Sequence, residues 1–153
     1  MTSSAPAILV AEDDAQHRLL IRAALTAAKL ANPVQLVGDG DAAIAYLADH
    51  GDYANRQRYP LPVLVLLDVH MPGASGLEVL AWLRAQPGSL GQVPTVLLTA
   101  SDDEADIDSA FAAGATSYLV KPVGFDALLD VVRALGLPWM LLGEQPREGA
   151  GPL

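Results

Sequence analysis

Acidic, hydroxyl and amine side chains recur in this sequence at one kind of place, the end of a short apolar run. The run Ala7–Ala11 is followed by Glu12, Asp13 and Asp14, and the run Val63–Leu67 by Asp68. Thr95–Leu98 leads into Thr99, and Thr116–Val120 into Lys121-Pro122. Each residue has an ordinary structural use by itself. Asp13 or Asp14 would cap a following helix, where a carboxylate accepts backbone N–H groups and complements the helix dipole. Asp68 would sit in the turn before Met71-Pro72-Gly73, Thr99 would be a β-branched strand residue, and Lys121 a surface charge. The set is harder to explain that way if the apolar runs are neighbouring parallel strands, because every one of these groups then converges on one sheet edge. Glu12, Asp13 and Asp68 would repel one another there, and a cation is needed to keep them ionised together. Oxygen-only donors select a hard ion, and Mg²⁺ takes one or two carboxylates with retained waters and a phosphate oxygen. A carboxylate beside such an ion is a competent nucleophile toward phosphorus. A Lys ammonium and a Thr hydroxyl would neutralise and hydrogen-bond the charge that the product adds.

The elements that would position these groups are legible in the hydrophobic pattern. Five apolar runs, the four above and Val34–Val37, are rich in Val, Ile and Leu and too short for helices. Their continuous rather than alternating character predicts strands covered on both faces. Segments of helical length lie between them. Ala15–Lys29 places Leu19, Leu20, Ala23 and Ala24 on one face, and Asp41–His50 offers Ala42, Ile44, Ala45, Leu47 and Ala48. Ser75-Gly-Leu-Glu78 and Ser101-Asp-Asp-Glu104 read as capping boxes opening two further helices. Gly114 stands where a left-handed cap would end the second of these, and a last helix is predicted over Phe125–Leu135. Strands alternating with helices predict an α/β fold, (βα)5, with a doubly wound parallel five-stranded sheet. In such a sheet ligands bind beyond the carboxyl ends of the strands.

Composition excludes several other classes. With 153 residues, 52% of them hydrophobic and 18% charged, the chain predicts one domain with a sizeable core. Its net charge of −9 argues against nucleic-acid or anionic-membrane partners, which need clustered Lys and Arg. The absence of cysteine removes thiol catalysis, disulfides, Cys-based zinc sites and iron–sulfur clusters. The first residues lack the basic start and apolar stretch of a secretory signal, and no run approaches the about 18 apolar residues of a spanning helix, so a soluble, cytoplasmic protein is expected.

Over roughly residues 7–137 the chain resembles the receiver domain of two-component response regulators. The resemblance is carried by Glu12-Asp13, by Leu67-Asp68-Val69-His70-Met71-Pro72-Gly73, by Thr99-Ala100, by Tyr118 and by Lys121-Pro122. Thr99 follows Asp68 by 31 residues and Lys121 follows Thr99 by 22, which also suits that family. The resemblance implies a flavodoxin-like fold with strand order 2-1-3-4-5. It further implies that Asp68 accepts a phosphoryl group from a histidine kinase's phosphohistidine. Mg²⁺ would be held by Asp68, by Asp13 directly, by Glu12 largely through water and by the backbone carbonyl of His70. Lys121 would pair with the phosphoryl group, and Thr99 would swing toward it and let the aromatic switch Tyr118 turn inward. A cis Lys121-Pro122 bond, and an influence of His70 and Ser101 on dephosphorylation, are implied in the same way.

Two segments depart from a minimal receiver. The loop Gly51–Pro60 is long, and with the tail Leu137–Leu142 it resembles small stand-alone receivers that serve bacterial and cyanobacterial phytochromes, so a bacteriophytochrome is the expected kinase. Residues 1–137 are read as the receiver domain and 138–153 as a C-terminal arm, apolar to Leu142 and Gly- and Pro-rich from Glu144. With few residues after Leu137, output is expected through protein contacts or phosphorelay. A homodimer is expected through the last helix and the arm, by way of Leu128, Val131, Trp139, Met140, Leu141 and Leu142, because such an apolar stretch marks an interaction surface. Folding of the arm back on its own domain is the alternative. Other readings are a metal-dependent phosphatase, which lacks its second acid/base because position 70 is His, a flavodoxin-like carrier, disfavoured by the acidic first loop, and a receiver-shaped scaffold. His17 reads as a helical surface residue, Trp82 as a packing residue of the third helix, and Arg56 and Arg58 as solvated loop charges.

Overall fold

The computed structural model describes residues 7–27, 32–55, 57–100, 104–121 and 125–135. Ser101 and its capping box, Pro122, Arg56 and the arm carrying Trp139, Met140, Leu141 and Leu142 lie outside the described residues. Strands β1 (Ala7–Ala11), β2 (Val34–Val37), β3 (Pro62–Asp68), β4 (Thr95–Thr99) and β5 (Ser117–Val120) alternate with helices α1 (Ala15–Ala27), α2 (Gly40–Leu47), α3 (Gly76–Arg84), α4 (Glu104–Ala112) and α5 (Phe125–Leu135). The strands form one parallel sheet in the order β2-β1-β3-β4-β5. The chain therefore winds outward in one direction from β1 and in the other from β3. This leaves a switch point where the carboxyl ends of β1 and β3 lie side by side, the place where open parallel sheets bind ligands.

Alternate strand residues divide between two core faces, which is why the strands read as continuous apolar runs. Ile8, Val10, Leu64, Leu66, Val96 and Leu98 pack with Ile21 and Leu25 of α1 and Leu128 of α5. Leu9, Val65, Leu67 and Leu97 pack on the other face with Tyr46 of α2, Val79, Leu80 and Leu83 of α3 and Ala110 of α4. Leu128 is fully buried, and Val131 is partly buried against the same face. Leu128, expected at a dimer contact, thus packs in this domain's own core. α5 lies beside α1, so that part of its apolar circumference closes this domain's own core, and Val131 leans on the same layer.

Local signals set most helix ends. Ser75 and Glu78 form the expected capping box: the Glu78 N–H donates to Ser75 Oγ at 3.2 Å and the Ser75 N–H to Glu78 Oε1 at 3.0 Å. Gly114 has φ of +103°, and the N–H groups of Gly114 and Ala115 donate back to Phe111 and Ala110 in a Schellman ending. The second helix stops at Leu47, short of the expected His50, because Asp49 takes φ of +60° and His50 donates to Ala45 in the same motif. The long loop after it is folded onto α2. Tyr46, Tyr53 and Tyr59 meet with ring centroids 5.0–5.8 Å apart, and the Tyr46 hydroxyl donates to the Pro60 carbonyl at 2.7 Å. Arg58, exposed as expected of a solvated loop charge, lies over the Tyr59 ring at 5.5 Å. Trp82 is half-buried against the second core face, as a packing residue should be. Arg84 sends its guanidinium to the carbonyls of Gly114, Gly91 and Val93, tying the end of α3 to the approaches of β4 and β5.

Candidate functional site

The end of β1 separates three consecutive carboxylates into three environments. Glu12 continues the ladder with its N–H donating to the Val37 carbonyl at 3.1 Å, and this turns its side chain inward, where it is fully buried. Its carbonyl accepts Arg18 Nη1 at 2.7 Å, and its Oε2 accepts the Asp14 N–H at 3.2 Å. Asp13, next in the chain, is exposed. Asp14 is the helix cap: its Oδ1 accepts the N–H groups of Gln16 at 2.8 Å and His17 at 3.2 Å. The His17 and Gln16 bonds hold the Asp14 carboxyl below its ordinary range.

Asp68 ends β3 and is buried, with Oδ1 accepting the His70 N–H at 3.2 Å and Oδ2 accepting Lys121 Nζ at 2.7 Å. The first residue of α3 lies directly against it. A Cβ at Gly76 would stand 2.3 Å from the Asp68 carbonyl oxygen, so only glycine lets α3 start here. Lys121 follows β5, and its N–H donates to the Thr99 carbonyl at 2.8 Å. Its ammonium lies 2.6 Å from Glu12 Oε1 and bridges the ends of β1 and β3 from β5. Burial would depress the Lys121 pKa, but Asp68 and Glu12 outweigh it and hold it above the ordinary value. Burial, followed by the neighbouring Asp68, pushes the Glu12 carboxyl upward against the pull of Lys121.

Oxygens of Glu12, Asp13 and Asp68 lie within 4.8 Å of one another. These residues fit a divalent cation. The donors are all hard oxygens, and three carboxylates facing one ammonium leave two negative charges. Glu12 Oε1 is buried, and its nearest partner is the ammonium, an ion pair that falls short of an aligned hydrogen bond. Glu12, Asp13 and Asp68 would hold the ion, which would neutralise the carboxylates and orient an incoming phosphoryl group.

Thr99 closes β4 and is half-buried. It lines a cavity of about 210 Å³ together with Val69, His70, Leu77, Leu97, Asp106, Ile107 and Ala110. Tyr118 pairs with Leu97 across the β4–β5 ladder and packs edge-on to Phe111, with ring centroids 5.8 Å apart and planes at 84°. The fold thus brings Glu12, Asp13, Asp68 and Lys121 together, with His70 attached through its backbone, and sets Thr99 and Tyr118 on the adjoining strands. Two neighbours were not read as site residues. His17, expected on the helix surface, places Nδ1 3.4 Å from Lys121 Nζ and 3.7 Å from Glu12 Oε1, and Arg18 secures the Glu12 backbone. Their position in the first turn of α1, directly after a cap at Asp14, is the signal that could have found them.

Comparisons with known proteins agree with this geometry. A family model described as response regulator receiver domain matches residues 8–133. The response regulator Rcp1 of Synechocystis is 32% identical over 133 residues, covering 87% of this chain and 88% of that protein. The Mn²⁺-bound structure of Rcp1 superposes with a TM-score of 0.71 at 30% identity, over 93% of this chain and 99% of that one. The bacteriophytochrome response regulator RtBRR superposes with a TM-score of 0.81 at 37% identity, over 93% of this chain and 84% of that one. For AtBRR, another bacteriophytochrome response regulator, the TM-score is 0.80 at 35% identity, over 92% and 99%. Among the described residues no helix is long and apolar enough to cross a membrane. A receiver is a signalling module whose chemistry is confined to its own phosphorylation and dephosphorylation, and this chain, by its sequence match and by its fold, belongs to the response regulator receiver domain family.

Proposed function

We propose that the chain is a phosphorylation-dependent switch that takes a phosphoryl group on Asp68 from a sensor histidine kinase of the bacteriophytochrome type. The observation that carries this reading is the Lys121 ammonium set between Glu12 Oε1 and Asp68 Oδ2 at the junction of β1, β3 and β5. An Asp68 oxygen attacks phosphorus, the O–P bond forms, and the P–N bond of the kinase's phosphohistidine breaks. The electron pair stays on the departing imidazole. Asp13, Asp68, Glu12 and the His70 carbonyl would hold a Mg²⁺ ion, which would supply charge neutralisation. Lys121 turns from the carboxylate to the phosphoryl oxygens, and the Thr99 hydroxyl donates to another of them. Movement of Thr99 opens the cavity beside Leu97 and Ala110 to Tyr118, and the exposed faces of α4 and β5 change with it. The likeness to bacteriophytochrome response regulators supports the choice of kinase, and the acidic cluster supports the choice of ion.

Incubation with acetyl phosphate or with a purified bacteriophytochrome kinase and ATP tests the assignment by intact mass. A single phosphoryl adduct is expected with Mg²⁺, none with chelator, and none in Asp68→Asn. An adduct of equal yield in Asp68→Asn would refute the role of Asp68. Equal transfer from an unrelated histidine kinase would refute the choice of partner.

A further inference from the structure

A lysine ammonium has three N–H groups and accepts nothing. In this structure Lys121 Nζ has three partners: Glu12 Oε1 at 2.6 Å in an ion pair, and Asp68 Oδ2 at 2.7 Å and His17 Nδ1 at 3.4 Å as acceptors. The first two are carboxylates that a divalent cation and a phosphoryl group also claim. The third is neither. His17 is fixed in the first turn of α1, where its N–H donates to the Asp14 cap at 3.2 Å, and its half-buried ring stands beside the Glu12–Lys121 ion pair. An ammonium offers only hydrogens, so as its acceptor His17 presents the Nδ1 lone pair with the ring proton on Nε2, a tautomer assigned from this contact.

We propose that His17 is a positioning residue for Lys121, keeping the ammonium at the site when Glu12 and Asp68 turn to a divalent cation. The inference rests on the phosphoacceptor reading above and adds a residue to it. A cation drawn to the two carboxylates repels the ammonium. Without another acceptor the flexible Lys121 stem would carry its charge out toward solvent. The His17 contact, long for a hydrogen bond, is the weakest of the three in the resting site and becomes the remaining one once the carboxylates are occupied. It leaves the ammonium poised where charge builds on the phosphoryl oxygens, so a preorganised donor need not be recruited during the reaction.

Two substitutions separate the acceptor atom from the ring. His17→Asn places an amide oxygen near the position of Nδ1, and His17→Phe keeps the ring and removes the acceptor. The probe is beryllofluoride with Mg²⁺, a phosphoryl analogue, with affinity read from backbone amide shifts around Asp68. Lys121 Nζ is followed by its own NMR signal, and the thermal midpoint in chelator reports the fold. Wild type and His17→Asn are expected to agree within about twofold. His17→Phe should bind about tenfold more weakly, the lower end for a hydrogen bond to a charged group. Its Lys121 Nζ signal should broaden on Mg²⁺ addition while that of wild type persists. If the Phe ring lowers the thermal midpoint, His17→Ala carries the same comparison. Wild-type affinity in His17→Phe, or equal loss in His17→Asn and His17→Phe, overturns the proposal while leaving the phosphoacceptor reading intact. A wild-type protein without any Mg²⁺-dependent beryllofluoride response overturns both.

Discussion

Replacing Lys121 by Met should have two effects of opposite sign, and their pairing is diagnostic of the site. The ammonium stands 2.6 Å from Glu12 and 2.7 Å from Asp68, with side-chain exposures of 13% for Lys121 and 0% and 6% for its partners. Removing one partner of a buried ion pair leaves uncompensated charge, at a cost of about 3–5 kcal/mol. Protonation limits the repulsive part of that cost. A carboxyl of ordinary pKa 4.5 can be neutralised at pH 7 for about 3.5 kcal/mol, and the upward shift of Glu12 reduces this further. We therefore expect Lys121→Met to lose about 2–3 kcal/mol at pH 7 in chelator, or roughly 6–12 °C in thermal midpoint for a domain of this size. Glu12, held upward by burial, loses the ammonium that pulled it down, so the folded variant binds more protons than the unfolded state above pH 4.5. Stability of the variant must then fall as pH rises through the folded values, and the defect must shrink toward pH 4.5. Mg²⁺ should act the other way. With the competing ammonium gone, the ion should bind at least tenfold tighter, about 1.4 kcal/mol, and restore most of the lost stability. Urea denaturation at pH 4.5, 6 and 7 with and without Mg²⁺, with calorimetric titration of the ion, measures both effects. A variant as stable as wild type in chelator and with unchanged Mg²⁺ affinity would refute the view that Lys121 neutralises this carboxylate pair.

Three further outcomes follow from other parts of the fold. Gly76→Ala forces a methyl to 2.3 Å from the Asp68 carbonyl, so a loss of about 2–3 kcal/mol by chemical denaturation and slower labelling by acetyl phosphate are expected. Thr99→Ala should still be labelled on Asp68 with Mg²⁺, while the chemical-shift response of Tyr118 and Phe111 to beryllofluoride falls by more than half; a full wild-type response would dissociate Thr99 from the switch. Pairing is proposed through residues 138–142 rather than through Leu128, and light scattering should find a dimer for the full chain and a monomer for a chain ending at Gly136, whereas an unchanged state after truncation would remove the arm from the interface.

Much of this molecule is legible in its sequence because the information is local. Continuous apolar runs mark strands covered on both sides, and the alternation of strand and helix dictates a parallel sheet whose carboxyl ends collect Glu12, Asp68, Thr99 and Lys121. The Ser75–Glu78 box and the Gly114 cap are short-range hydrogen-bond patterns, and both appear as read. Residue type and spacing were also enough to bring Glu12, Asp13, Asp68, Thr99 and Lys121 forward as candidates. What the sequence could not divide was labour among like groups. Glu12, Asp13 and Asp14 are three adjacent carboxylates, and only the β1–β2 ladder, which buries the first, and the start of α1, which takes the third as its cap, separate them. The apolar circumference of α5 likewise looks unpartnered until α1 lies beside it, and then Leu128 belongs to the core. His17 and Lys121 are 104 residues apart, and no periodicity links them. Their meeting depends on strand order, since β5 and β1 are separated in the sheet by β3 and β4 and only the reach of the Lys121 side chain across the carboxyl edge closes the gap. Long-range juxtaposition of side chains is set by how layers pack, and layer packing is a property of the whole chain rather than of any segment in it.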